Sequence, residues 1–459
     1  MTARALVAAL QAAGLKVEGL STSRDVAGCD LGEPLAVVAP DSVAGVVAAV
    51  GAARSVGARI AVVGATQAYW RPLALDGVLA LRVDRLRSIA IGDGVVTVGA
   101  GASVREVDVA LRSVGRHLPF RPDAFGDSSV GGMVAAGSTS GWGMGLADVD
   151  RCVVQLDVVD GRGLPWSTGA SGAWPRLPPF LRPGTPDATG LFLAAEGSFG
   201  VVVGATLRAP PAPWRVRLTG TVTLGGRAAL AASLRPALEA GILETARIAA
   251  YRDGAGVGER GRDAEVELWV ASGWSAEEAL ARAAAVVATA VGLQGVQQTV
   301  EDAACRGGSG PLYEATWQGP ASALEGYRQA HALLGLDVNA DWSMLPILLA
   351  SADDELDRQA TLPGLIGRRA ALYLAPGFLN LGLHTTVTRD AAASAQRAGA
   401  ETLARWAELP VVPYRIGRAW PEATLDAIDG AVASAWAGIR QVLDPDGVFV
   451  PTSVMRRAR

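Results

Sequence analysis

Residues 121–163 read RPDAFGDSSVGGMVAAGSTSGWGMGLADVDRCVVQLDVVDGRG, a glycine-dense loop that runs directly into an alternating apolar strand. The glycines between Gly126 and Gly145, interleaved with Ser128, Ser129, Ser138, Thr139 and Ser140, remove Cβ atoms and let backbone N–H groups face an anion. Helix N-termini would add to that field. The following VVQLDVVDGRG has the β-branched run of a buried strand, closed by the Asp160-Gly161 and Arg162-Gly163 pairs of a turn. A loop this apolar needs a large partner. The alternative is a plain tight connection, in a chain where 56 of 459 residues are glycine.

The length allows two or three domains, and half of the residues are apolar, enough for a sizeable core. The net charge of −4 comes from 45 acidic and 41 basic side chains spread along the chain, so no basic face for nucleic acid or an anionic membrane is expected. A small molecule is the expected partner. Cys29, Cys152 and Cys305 are far apart and lack CxxC spacing, which gives neither a disulfide framework nor a zinc site and fits a cytoplasmic location. Gln11 and Lys16 break the alanine-rich N-terminus, making it a surface helix rather than a secretory segment, and no run approaches a transmembrane span. Three scattered histidines, without HExxH or Ser-His-Asp spacing, predict no metal site.

In chain order, residues 34–64 read strand, Pro40-Asp41-Ser42 turn and cap, helix over 43–56, then a buried strand over 59–63, a βαβ-like opening. That strand ends in GATQAYWRPLALDG, where Gly64 permits close approach although GxGxxG and a Walker lysine are missing. Two further strands and a helix from Val104 follow; GAGAS between them is a short connection, either a simple turn or a ligand contact. Clustered prolines near Pro213 mark a boundary. Beyond it, strand, helix, strand repeats twice, predicting an antiparallel sheet backed by helices, with Glu277 and Glu278 after Ser275 as a helix start. ALEGYRQAHALLG reads as a helix, and nothing makes its His331 a ligand. His117 reads as a satisfied polar group at the end of its helix.

The order of these motifs resembles the vanillyl-alcohol oxidase and 4-cresol dehydrogenase superfamily, which holds FAD without a Rossmann fingerprint. SVGGMVAAG followed by DVDRCVVQLDVVDGRG is similar to its second flavin segment, Gly64 and Tyr69 fit its first, and Pro186, Gly190, Leu191, Phe192, Ser198 and Phe199 fit its third. The resemblance implies FAD contacts from Gly64, Ala65, Thr66 and Gln67 in the first segment. In the second it implies Pro122, Asp123, Ser128, Ser129, Gly131, Gly132, Ala135, Gly137 and Gly141, and in the third Glu196, Gly197, Gly200, Val201 and Val202. The first loop departs from the pattern, with Trp70 and Arg71 where glycines are usual and Ala65-Thr66 in place of a more basic or amide-bearing pair. LDPDGVFVP resembles the C-terminal segment that packs back onto the flavin domain.

In the phenol-oxidising branch a Tyr-Arg dipeptide and a first-loop tyrosine bind the substrate as its phenolate, which implies Tyr414, Arg415 and Tyr69 here. An always-cationic arginine and two phenolic donors lower the substrate's pKa and push electrons toward the para carbon. The resemblance further implies an assisting aspartate at Asp148, with Asp150 as its neighbour, and His384 lining the substrate cavity, although a lone strand histidine is more often structural. FAD is expected to be noncovalent, and Asp341 is the candidate if it is tethered.

The expected fold is α+β: a two-subdomain FAD-binding domain of this type over residues 1–213, an inserted α/β cap over 214–410 and a C-terminal return over 411–459. The expected activity is oxidation of a para-substituted phenol by hydride transfer to flavin N5 through a quinone methide. Oxidation of a 2-hydroxy acid or other alcohol, and a noncatalytic flavin-fold subunit, are the alternatives. Expected partners are a phenolic small molecule, oxygen or a redox protein as electron acceptor, and a second copy of the chain.

Overall fold

A computed structural model of the chain describes residues 3–19, 30–66, 74–119, 128–138, 149–174, 186–253, 263–300, 330–414 and 428–451. Strands β1 (Val17–Glu18), β2 (Ala36–Val38), β3 (Ile60–Val63) and β4 (Leu79–Arg82) form a sheet ordered β1-β2-β4-β3, in which β4 lies parallel to both β2 and β3. Helix Val43–Ser55 joins β2 to β3. Ser42 caps it by accepting from the Gly45 N–H, and its Val46, Ala49, Val50 and Ala53 are buried, consistent with the small and β-branched run read from the sequence.

Beside it stands an antiparallel sheet of β5 (Ile89–Ile91), β6 (Val95–Gly99), β7 (Val153–Asp160), β8 (Pro165–Ser167) and β9 (Gly200–Arg208), ordered β5-β6-β9-β7-β8. Helix Val104–Arg112, started by a reciprocal Ser103–Glu106 capping box, and the short helix Val130–Ala135 bury their apolar residues in the core of this sheet. The C-terminal segment returns to the first sheet. Ile60 N–H donates to the Val448 carbonyl at 2.7 Å, Val450 N–H donates to the Ile60 carbonyl at 2.9 Å, and Phe449 between them is fully buried.

The third sheet is antiparallel and eight-stranded: β10 (Trp214–Thr223), β11 (Leu243–Asp253), β12 (Asp263–Ser272), β13 (Gln294–Val300), β14 (His331–Ala340), β15 (Leu365–Leu374), β16 (Leu379–Thr388) and β17 (Val412–Pro413) run in the order β13-β10-β12-β11-β15-β16-β14-β17. Helices Arg227–Glu239, Ala276–Thr289, Leu345–Arg358 and Ala392–Trp406 cover one face, burying Leu218, Ile248, Leu268, Leu336, Leu372 and Leu383. Ser275 caps the second of these helices through the Glu278 N–H, as its sequence signals. One expectation is overturned: ALEGYRQAHALLG is not a helix throughout, because His331–Ala340 is a strand paired residue for residue with β16. A short apolar run carries no decisive period, so pairing with β16 determines its state.

Alternation places Arg217, Arg247, Glu267, Asp337, Arg369 and His384 on the opposite face of this sheet. Two contacts show where that face looks. At β10, Arg215 Nη2 meets His117 Nδ1 at 3.3 Å, and beyond β17 the Tyr414 hydroxyl reaches the Gly137 carbonyl at 3.5 Å. Both partners belong to the N-terminal half, so the polar face is turned toward it.

Candidate active site

The three glycine segments converge. A Cβ added at Gly64, just after β3, would stand 3.2 Å from Ser129 Oγ and 3.6 Å from Gly132 Cα. At Gly137 (φ +58°) it would stand 2.6 Å from Ala194 Cβ, and at Gly197 (φ +79°) 3.3 Å from Val62 Cγ2. Main-chain bonds from Ala194 N to Val134 O and from Glu196 N to Ala135 O tie the third segment to the second. Among the described residues the only non-glycine residues with positive φ are Thr66, Ala194 and Glu196, all at this junction. Backbone held in the left-handed region by its surroundings marks a site shaped for a ligand rather than for its own stability.

One part of the sequence reading is corrected. The first amides of helix Val130–Ala135 do not face an anion: Val130 N donates to Ala102 O, Gly131 N to Ala100 O, Gly132 N to Ser129 Oγ and Met133 N to Ser129 O. Gly131 and Gly132 instead serve by smallness, since a Cβ at Gly131 would meet Ala100 Cβ at 2.7 Å. Ser128 gives its carbonyl to Val104 N. Gly200 lies against the Val159 carbonyl, and the side chains of Val201 and Val202 are buried in the two sheet cores, so any contact they make with a cofactor is through the main chain. Ala65 and Thr66 lie at the junction of segments. Gln67, Pro122, Asp123 and Gly141 fall outside the described residues.

Of the residues expected to act on substrate, Tyr69, Asp148 and Arg415 also fall outside the described residues. Tyr414 and His384 are brought to the same face. The Tyr414 N–H donates to the Asp337 carbonyl at 3.0 Å, which fixes the chain beside β14, and its hydroxyl donates a long hydrogen bond to Gly137. His384 is buried; its Nδ1 accepts from Arg369 Nε at 3.1 Å, and its Nε2 lies 3.7 Å from Asp337 Oδ1. An arginine only donates, so Nδ1 carries the lone pair and the ring proton sits on Nε2. Burial, then the charges of Arg369 and Arg247, hold this imidazole well below the usual histidine range.

The same face holds residues that sequence reasoning did not single out. Glu267 accepts from Arg217 Nε at 2.9 Å, Arg247 Nη2 at 2.6 Å and Trp269 Nε1 at 3.1 Å. This cluster keeps its carboxyl below the usual range although burial opposes that shift. Their signal was a charged residue set between apolar neighbours in WRVRLTG, TARIAAY and VELWV, a pattern that gives strand faces but not which strands lie side by side.

Asp341, the candidate tether, is exposed and caps the turn Trp342–Met344, accepting from Ser343 N at 2.8 Å. This hydrogen bond, with Arg235 nearby, holds its carboxyl below the usual range. Cys152 is fully buried and its thiol is pushed up to about 12 by burial, so it is no nucleophile. Among the described residues no group of histidine, cysteine and acidic side chains is arranged to hold a metal, and no helix is long and apolar enough to cross a membrane.

Residues 34–169 match the model of the FAD binding domain family, a span that contains the first two segments. The fold is shared over nearly the whole chain with solved structures. The 4-ethylphenol oxidase from Gulosibacter chungangensis, in its isoeugenol complex, has a TM-score of 0.79 at 14% identity, over 98% of this chain and 96% of that one. Substrate-bound p-cresol methylhydroxylase gives 0.75 at 15%, over 97% and 94%. A xylooligosaccharide oxidase from Myceliophthora thermophila C1, in complex with xylobiose, gives 0.72 at 15%, over 98% and 99%. The convergent small-residue segments fit a bound FAD, residues 34–169 match an FAD binding domain, and the chain has the fold of the vanillyl-alcohol oxidase and 4-cresol dehydrogenase type.

Proposed function

We propose that this enzyme oxidises a para-substituted phenol, of the 4-alkylphenol or 4-hydroxybenzyl alcohol type, with noncovalently held FAD. On this reading residues 1–213 and 411–459 bind the cofactor and 214–410 supply most of the substrate pocket. The observation that carries it is Tyr414, whose hydroxyl stands 3.5 Å from a carbonyl of the second flavin segment at the edge of the buried polar sheet face. FAD, when bound, accepts the hydride at N5.

The protein's part is to make the phenol a better hydride donor. A hydrogen bond of 3.5 Å to a neutral carbonyl is weak, and a phenolate oxygen is a stronger, charge-assisted acceptor that draws the Tyr414 proton to itself. Arg415, next in sequence, and Tyr69 and Asp148 complete the set that the family resemblance implies. The phenol's proton is lost to a base, the side-chain carbon attached at the para position gives up hydride, and the resulting quinone methide takes up water or loses a proton from its side chain. His384 does not serve as the base, because its lone pair is committed to Arg369. The hydrogen-bonded Asp341 carboxylate supports a noncovalent cofactor.

Removing the Tyr414 hydroxyl tests this directly. Tyr414→Phe should retain FAD yet slow anaerobic flavin reduction by 4-ethylphenol roughly 10²-fold. A rate equal to the wild type would sink the assignment. The likeness to a xylooligosaccharide oxidase favours a second reading, oxidation of a hydroxyl group of an oligosaccharide, for which reduction by an oligosaccharide and not by phenols is the expected result.

A further inference from the structure

The outer side of a sheet is a row of main-chain donors and acceptors, and proteins guard it with a very short outer strand, proline, charge or a covering segment. The three sheets have six outer strands, and five of them are guarded. β1 and β17 are two residues long, β5 is three, and β8 is three and opens with Pro165. β3 is covered by the C-terminal segment through the two main-chain bonds of Ile60. The sixth, β13, is seven residues long, QGVQQTV, with neither proline nor charge. Its residues 294–299 are exposed on both faces, and among the described residues no strand pairs with its outer side.

β13 lies antiparallel to β10, with a bulge beside Gly295 (φ +60°). The bulge bends away the start of the strand, so residues 296–300 are the length that another strand can use. Thr299 opposes Arg217 and Gln297 opposes Thr219 on the polar face of the sheet, while Val300 opposes Val216 and Gln298 opposes Leu218 on the helix-covered face. This run, VQQTV, reads nearly the same in both directions. A two-fold axis perpendicular to the sheet at Gln298 sets the run antiparallel to its own copy and keeps like faces together. Val296 then meets the partner's Val300, Gln297 meets the partner's Thr299, and Gln298 meets the partner's Gln298. Amides and hydroxyls both donate and accept, so the polar pairs complement themselves, and no like charges are opposed. Val296, 37% exposed, gains an apolar neighbour.

We infer that two copies of the chain join edge to edge through β13, their eight-stranded sheets becoming one continuous antiparallel sheet across the two-fold axis. Main-chain hydrogen bonds supply the affinity and the near-palindromic side chains select a second copy over other strands. The inference is independent of which substrate the protein oxidises.

Sedimentation equilibrium of the FAD-loaded full chain over a concentration series reads the association. Wild type should approach twice the monomer mass as the concentration rises. Two double variants place like charge at the opposed, exposed positions: Gln297→Lys with Thr299→Lys, and Gln297→Glu with Thr299→Glu. Each alone should weaken the dimer at least about ten-fold, because both pairs across the axis then oppose like charges. Mixed in equal amounts, the two should recover wild-type association as heterodimers in which each pair sets lysine against glutamate. That recovery also shows that both variants are folded. A wild type that keeps the monomer mass throughout would overturn the inference. So would double variants that associate as the wild type does, which places the interface elsewhere, or a mixture that associates no better than its components.

Discussion

Gly137 and Tyr414 meet where the N-terminal half touches the eight-stranded sheet, and each is constrained by what a single atom would do there. Gly137 has φ +58°, and a Cβ would lie 2.6 Å from Ala194 Cβ. Gly137→Ala therefore combines left-handed strain of about 1–2 kcal/mol with a clash against the third segment. FAD retention after gel filtration and the melting temperature should both fall, whereas full retention at an unchanged melting temperature would show that the junction has slack. At the same scale, a hydrogen-bond partner decides the role of His384. A histidine on a strand is compatible with general-base chemistry, but here its Nδ1 lone pair is taken by Arg369 Nε at 3.1 Å.

Among the elements, the C-terminal strap shows how a short segment completes the first sheet. Asp444 is buried and accepts from the N–H groups of Val448 and Phe449 at 2.7 and 3.0 Å, shaping the turn that inserts Phe449 beside β3. β3 leads directly into the first flavin segment, so the strap supports the strand from which that loop springs. Phe449→Ala should destabilise the protein by about 3–5 kcal/mol in urea denaturation, with parallel loss of FAD. A loss below about 1 kcal/mol would show that the strap is peripheral. The sequence carried much of this level: the helix over 43–55, the helix start at Ser275 and the repeated strand-helix-strand order of the cap follow from local periodicity and caps. His331–Ala340 was misread in part because its state depends on pairing with β16, and the Arg217–Glu267–Arg247 cluster was missed because cross-strand neighbours are set by topology. That Ala100, Ala102 and Ser129 take the first amides of helix Val130–Ala135 is set by tertiary contacts that a glycine-rich sequence does not show.

For the whole molecule, two buried histidines held below the ordinary histidine range make stability depend on pH. Burial, then the charges of Arg215 and Arg112, depress His117, and His384 is depressed by burial, Arg369 and Arg247. In the unfolded chain both take up protons near their ordinary value of 6.5, while the folded chain does so only at lower pH. Stability is therefore full above about pH 6.5 and declines as the pH falls from there toward the folded values, by up to about 1.4 kcal/mol per histidine per pH unit. Urea denaturation between about pH 7 and about pH 5.5 should show this slope, and His384→Asn should make it shallower. An identical slope in the variant would mean that other groups set the acid limit.

The most direct measurement is the visible spectrum of the FAD-loaded protein under anaerobic titration with 4-ethylphenol, a 2-hydroxy acid and a xylooligosaccharide, followed by acid precipitation. The account predicts bleaching by the phenol and not by the other two, with yellow FAD released into the supernatant once the flavin is reoxidised. Bleaching by the hydroxy acid or the oligosaccharide while the phenol leaves the spectrum unchanged would contradict it.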